Sequence, residues 1–126
     1  MSSTQSARSA AAPKPAQPLI RIEPHPGIAQ ATLKGQIVAE STAALVLRDG
    51  GYPPRIYFPR GDVRMDLLTA TARSTHCPHK GNASYWTVTA GGTAAPDVAW
   101  SYRTPHDGVA AIGDHISFAE PVVTEP

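Results

Sequence analysis

The sequence predicts a mainly β protein, a compact antiparallel sandwich or partly open barrel with one short helix near residues 62–70. Three observations lead there. From Leu19 onward, short apolar segments alternate with turn residues at roughly eight- to twelve-residue intervals. Lys34-Gly35, Asp49-Gly50-Gly51 and Gly91-Gly92 are each able to supply the positive φ of a tight reversal. Period-two alternation sets Trp86 and Val88 on one face of a strand, and Trp100 and Tyr102 together on a face of the next.

The elements follow in order. Residues 1–17 are Ser-, Ala-, Gln- and Pro-rich, with no apolar side chain larger than alanine after Met1, so burial cannot offset the entropy of ordering them. A disordered tail is expected there, followed by a single β-rich domain over 18–126. Leu19-Ile20-Arg21-Ile22 reads as a strand stopped by Pro24, Pro26 and Gly27. Residues 28–33 and 36–40 make a hairpin around Lys34-Gly35. Residues 44–48 and 55–58 flank the Asp49-Gly50-Gly51 turn, and Pro59 ends the second of them.

The helix is expected to start at Asp62, whose carboxylate can accept from free amides of a first turn, with Val63, Asp66, Leu67 and Ala70 at helical spacings. After a loop over 76–81, strands are expected at 84–90, 98–102 and 116–118.

Composition excludes several classes. A net charge of +1 lacks the basic excess of a dedicated nucleic-acid binder. No apolar run approaches the ~18 residues of a membrane span, and the N-terminus lacks the apolar core of a signal peptide. One cysteine forms no internal disulfide, which fits a reducing, cytoplasmic setting. Neither nucleic acid nor membrane is expected as a partner. Charge is nonetheless uneven. Arg48, Arg55, Arg60, Arg64, Arg73 and Lys80 face only Asp49, Asp62 and Asp66 within residues 48–80. Such a stretch is either a solvated surface with scattered ion pairs or an anion-binding face.

Gly35-Gln36-Ile37-Val38-Ala39-Glu40-Ser41, Tyr57-Phe58-Pro59-Arg60 and Asp62-Val63-Arg64-Met65-Asp66-Leu67-Leu68 form an ordered set of stretches. Cys77-Pro78-His79-Lys80-Gly81-Asn82-Ala83-Ser84-Tyr85-Trp86 and Ala99-Trp100-Ser101-Tyr102, with Pro105 beyond, continue it. In their order and spacing, across most of residues 19–119, the chain resembles the bacterial and fungal family catalogued as domain of unknown function 427. The resemblance implies a mostly antiparallel β fold and brings no settled activity. Members are sometimes labelled nucleotidyltransferase-like. Such chemistry normally needs paired carboxylates for Mg²⁺ beside a phosphate-binding loop. Asp62 and Asp66 are four apart and could share a helix face, but Asp62 reads more simply as a cap.

The densest cluster of reactive side chains is His76-Cys77-Pro78-His79-Lys80-Gly81. A metal could draw on His76, Cys77 and His79, with His106 or His115. Structural zinc sites usually pair cysteines, however, so neither metal nor cofactor is expected. Cys77 is a candidate nucleophile if Lys80 or a protonated histidine lowers its thiol pKa; the simpler reading is a small buried hydrophobe. Lys80 is a catalytic candidate as an electrostatic stabiliser. It is otherwise an exposed lysine of little consequence for stability, able to offer a point charge to an anion.

The preferred expectation is a ligand- or anion-binding module whose pocket is formed by Arg60, Cys77, Lys80, Trp86, Trp100 and Tyr102. A small enzyme using Cys77 or Lys80, and a protein-interaction domain, are the alternatives.

Overall fold

Ten strands are found in the computed structural model, which describes residues 20–125; the tail expected over 1–17 lies outside them. In chain order they are β1 (Ile20–Pro24), β2 (Ala29–Leu33), β3 (Gln36–Ser41), β4 (Leu45–Asp49) and β5 (Arg55–Tyr57). The second half adds β6 (Leu68–Cys77), β7 (Gly81–Ala90), β8 (Thr93–Tyr102), β9 (Ser117–Phe118) and β10 (Val123–Glu125). They build three antiparallel sheets, ordered β9-β8-β7-β6, β10-β2-β3 and β1-β4-β5, with no closed barrel. The fold is mainly β, as expected.

Local chemistry explains the hairpins. Lys34 and Gly35 both take positive φ (51° and 84°), the combination whose twist matches the flanking strands β2 and β3. Gly91 (φ 58°) turns β7 into β8 and lies against that first hairpin. A Cβ there would come within 2.5 Å of the Lys34 Cβ and 2.8 Å of the Leu33 carbonyl oxygen, so only glycine fits without displacement.

Alternation then sorts the side chains into two cores. Ala29, Ala31 and Leu33 of β2 face Val38, Phe58, Trp86, Val88, Ile116 and Phe118 in one cluster. Leu47, Tyr57, Ala83, Tyr102, Val109 and Ile112 form a second. Ala99 and Ser101 alternate with Trp100 and Tyr102 along β8, so the end of this strand is covered on both faces.

The helix expected near 62–70 is replaced by two single 3₁₀ turns, Arg60–Asp62 and Met65–Leu67, and the chain is already extended at Leu68. Tertiary pairing overrides the local signal. Val63 makes a bridge with Ala39, and the Arg64 amide donates to the Val38 carbonyl, so pairing with β3 interrupts the segment and leaves only single local turns on either side. Asp62 caps nothing; its carboxylate accepts the Ser41 hydroxyl at 2.6 Å. The loop expected over 76–81 is a hairpin turn, for Cys77 pairs with Gly81 and the Lys80 amide donates to the Cys77 carbonyl. Among the described residues, no helix is long and apolar enough to cross a membrane.

Candidate ligand-binding cleft

Along β4 the even spacing that turns Leu45 and Leu47 inward also turns Asp49 inward, which buries a carboxylate. Lys80 reaches it from the β6–β7 turn. Its Nζ donates to Asp49 Oδ2 at 3.2 Å, and the two side chains are 14% and 9% exposed respectively. The turn is fixed from behind, because the His106 amide donates to the Lys80 carbonyl at 3.0 Å. Asp49 Oδ1 is buried without a hydrogen-bond partner among the described residues. Removing two charges from water costs several kcal/mol per ion, and an unmet oxygen adds to that. The pair is therefore poorly explained as a stabilising device.

This pair borders a cleft of about 430 Å³ lined also by Leu47, Arg55, Arg73 and Asp97. All four tyrosines of the chain (Tyr52, Tyr57, Tyr85 and Tyr102) and one of its two tryptophans, Trp100, line it too. Tyr85 and Trp100 are direct cross-strand partners with ring centroids 6.5 Å apart. The Trp100 indole N–H donates to the Tyr57 hydroxyl at 3.3 Å, and Tyr85 shares a 2.9 Å hydroxyl contact with Thr75. Two guanidiniums lie over this wall: Arg55 is 5.2 Å from the Trp100 centroid and Arg73 is 4.9 Å from that of Tyr85.

Two irregularities aim these groups. The β6–β7 register shifts between Ala70 and Ser74, and the β7–β8 register shifts between Trp86 and Val88. Extra residues on both neighbours of β7 re-aim Arg73 and Asp97, the usual work of a bulge. Asp97 takes φ 57° and accepts the Thr71 hydroxyl at 2.7 Å.

Of the residues expected to form the pocket, Lys80, Trp100 and Tyr102 line this cleft. Cys77 is half-buried and packs against the second core with Tyr85 and Trp100, outside the lining. Arg60 and Trp86 come together elsewhere. Trp86 belongs to the first core, and the Arg60 guanidinium stands 5.5 Å from its ring while pairing with Asp114 at 3.1 Å. Trp86 and Trp100 project oppositely because Trp86 pairs with Ala99, one register position from Tyr85 and Trp100.

Lys80 is not the exposed lysine expected from the sequence; Asp49 holds it inside. Asp49, Tyr57, Tyr85, Arg55 and Arg73 are among the lining residues not expected from the sequence. The signal for Asp49 was the alternation Leu45, Leu47, Asp49, overshadowed by its place in a turn motif. Arg73 is readable only as a member of the basic stretch over residues 48–80, because a bulge decides where it points.

No group of three or more His, Cys, Asp or Glu side chains is placed to hold a metal ion among the described residues. His76 is exposed and bonds Asn82 at 2.7 Å. Asp66 lies beside Arg64, whose hydrogen bonds hold its carboxyl below the usual range, and Asp62 faces Ser41, so these two carboxylates do not converge.

A family model matches residues 21–125. The chain belongs to the family described as Domain of unknown function (DUF427). The DUF427 match contains every residue that lines the cleft, so the cleft lies in the family domain itself. No curated protein matches the chain.

Burial raises the phenol pKa of both Tyr57 and Tyr102 above the ordinary value of 10, with the Trp100 hydrogen bond opposing the rise at Tyr57. Both hydroxyls are thus neutral donors at neutral pH. The folded state holds these protons more tightly than the unfolded chain. The associated stability is complete below pH 10 and is lost as the pH rises through the folded values. Tyr57 and Tyr102 are expected to stay un-ionised at pH 10 and to ionise as the fold opens. Ultraviolet tyrosinate absorbance, followed with circular dichroism in Tyr57→Phe and Tyr102→Phe variants, checks this. Ionisation of either phenol near pH 10 with the fold intact would contradict it.

Proposed function

We propose that the protein is a small ligand-binding module and that its cleft takes a small anionic molecule with an apolar or aromatic body. The observation that carries this reading is the gathering of all four tyrosines and Trp100 around a buried Lys80–Asp49 pair. Aromatic residues serving only the core need no such convergence of hydroxyls and charges, whereas an apolar wall with a few placed polar groups is the usual form of a ligand site. The rings offer stacking surface, Lys80 has N–H donors beyond the one given to Asp49, and the arginines at the mouth supply charge. The free thiol of Cys77 is compatible with a reducing, cytoplasmic setting. A nucleophilic role for Cys77 has less support, because its side chain packs with the second core and is not on the lining.

A thermal-shift panel of small organic acids tests the proposal, because a ligand that binds only the native state raises its apparent stability. At least one aromatic acid is expected to raise Tm by several degrees and to move the Trp100 indole N–H resonance, assigned with Trp100→Phe. A panel that does neither removes the reading. Cys77 is expected to react slowly with iodoacetamide until the protein unfolds; rapid alkylation of the native state at neutral pH would favour the enzyme reading.

A further inference from the structure

Four of the basic side chains in the described residues have carboxylate partners: Arg48 with Glu23, Arg60 with Asp114, Arg64 with Asp66 and Lys80 with Asp49. Arg55 and Arg73 have none among the described residues, and both line the same cleft. They come from different strands, β5 and β6, and each lies over one ring of the directly paired Tyr85 and Trp100. A cation–π contact does not consume the guanidinium N–H donors, which remain available for an oxygen ligand. Two like charges held over neighbouring rings also repel one another, and an anion between them removes that cost. Lys80 sits deeper, with its charge already balanced by Asp49.

Resting on the reading of the cleft as an anionic-ligand site, we propose that the ligand is a phosphate monoester of a small planar molecule. Its dianionic phosphoryl group is bridged by Arg55 and Arg73, and its ring lies against Trp100 and Tyr85. A carboxylate offers two oxygens and one negative charge. A phosphate monoester offers three oxygens and −1.5 to −2 charges near neutrality, a better match to two planar forks that have no carboxylate partner among the described residues. The cleft, about 430 Å³, is large enough for one ring system with its phosphate at the mouth.

The ligand's own titration makes the proposal testable. The charged and titratable groups lining the cleft are Asp49, Asp97, Lys80, Arg55, Arg73 and the four tyrosines; no histidine lines it. The phosphate's second ionisation, near pH 6, is therefore the feature that distinguishes it from a carboxylic acid between about pH 5 and 7.5.

Phenyl phosphate, inorganic phosphate and benzoate are titrated into the full chain at both pH values, with the Trp100 indole N–H as the readout. At about pH 7.5, phenyl phosphate is expected to bind roughly tenfold tighter than benzoate and than inorganic phosphate, and its advantage over benzoate to shrink severalfold at about pH 5. Arg55→Gln and Arg73→Gln, at exposed positions, are each expected to keep the wild-type Tm without ligand and to weaken phenyl phosphate at least fivefold and benzoate less. If benzoate binds as tightly as phenyl phosphate at both pH values, or neither arginine variant changes the preference, the phosphate assignment fails while the anionic-ligand reading stands. If inorganic phosphate matches phenyl phosphate, the ring has no part and the monoester assignment fails. If none of the three probes moves the Trp100 resonance, the assignment fails together with the placement of the site in this cleft.

Discussion

Lys80→Ala is expected to destabilise the protein by about 3 kcal/mol, because it leaves the Asp49 carboxylate buried without the one hydrogen-bond partner it has among the described residues. The opposite expectation follows from treating Lys80 as a solvated side chain, for which truncation costs a few tenths of a kcal/mol. The 14% and 9% exposures of the two side chains decide between these. Asp49→Leu should likewise be costly, since it leaves the Lys80 ammonium group buried without its carboxylate partner. The double variant Lys80→Met/Asp49→Leu removes both charges and fills the space with apolar atoms. It should recover most of the loss, as buried pairs replaced by hydrophobic residues often do.

Urea unfolding of the wild type, Lys80→Met, Asp49→Leu and the double variant gives the coupling energy directly. A Lys80→Ala cost below about 0.5 kcal/mol would mean that the pair is effectively hydrated. The double variant also separates stability from function. A protein as stable as the wild type that no longer responds to the organic acids would assign the pair to binding.

What the sequence makes legible is set by which interactions are local. The hairpins at Lys34-Gly35 and Gly91-Gly92 are readable because positive φ is a property of two residues. The pairing of Trp100 with Tyr102 on one face is readable because alternation is a property of one strand. The helix near 62–70 is misread because its local signals are real but lose to backbone pairing of Val63 and Arg64 with β3, some twenty-five residues earlier in the chain. The site divides in the same way. Lys80, Trp100 and Tyr102 are found from composition and alternation, whereas Arg73 depends on a bulge. Separating Arg60 and Trp86 from the cleft requires knowing that Trp86 pairs with Ala99, which fixes the face each ring takes. β10 pairs with β2 across about ninety residues of sequence, a contact that no local pattern announces.

Trp100 joins the fold to the cleft, so Trp100→Ala is expected to affect both. Its ring packs against the second core and against Tyr85, carries Arg55, and gives its N–H to Tyr57. Truncating a packed aromatic side chain costs about 3 kcal/mol or more. The half-buried setting of this one puts it at the lower end. Arg55 loses its platform at the same time, so the Tm rise produced by aromatic acids should disappear.

Trp100→Phe separates the contributions. It keeps an aromatic face for stacking and loses the indole N–H, at a cost of about 1 kcal/mol. The Tyr57 phenol, deprived of the hydrogen bond that opposes its upward shift, should ionise at still higher pH than in the wild type. Thermal unfolding with and without an aromatic acid, together with alkaline titration of the Phe variant, tests each part. A Trp100→Ala protein that melts lower yet keeps the full acid-induced rise in Tm would assign the indole to the core alone. The ligand would then have to contact Tyr85 and Tyr102 without it.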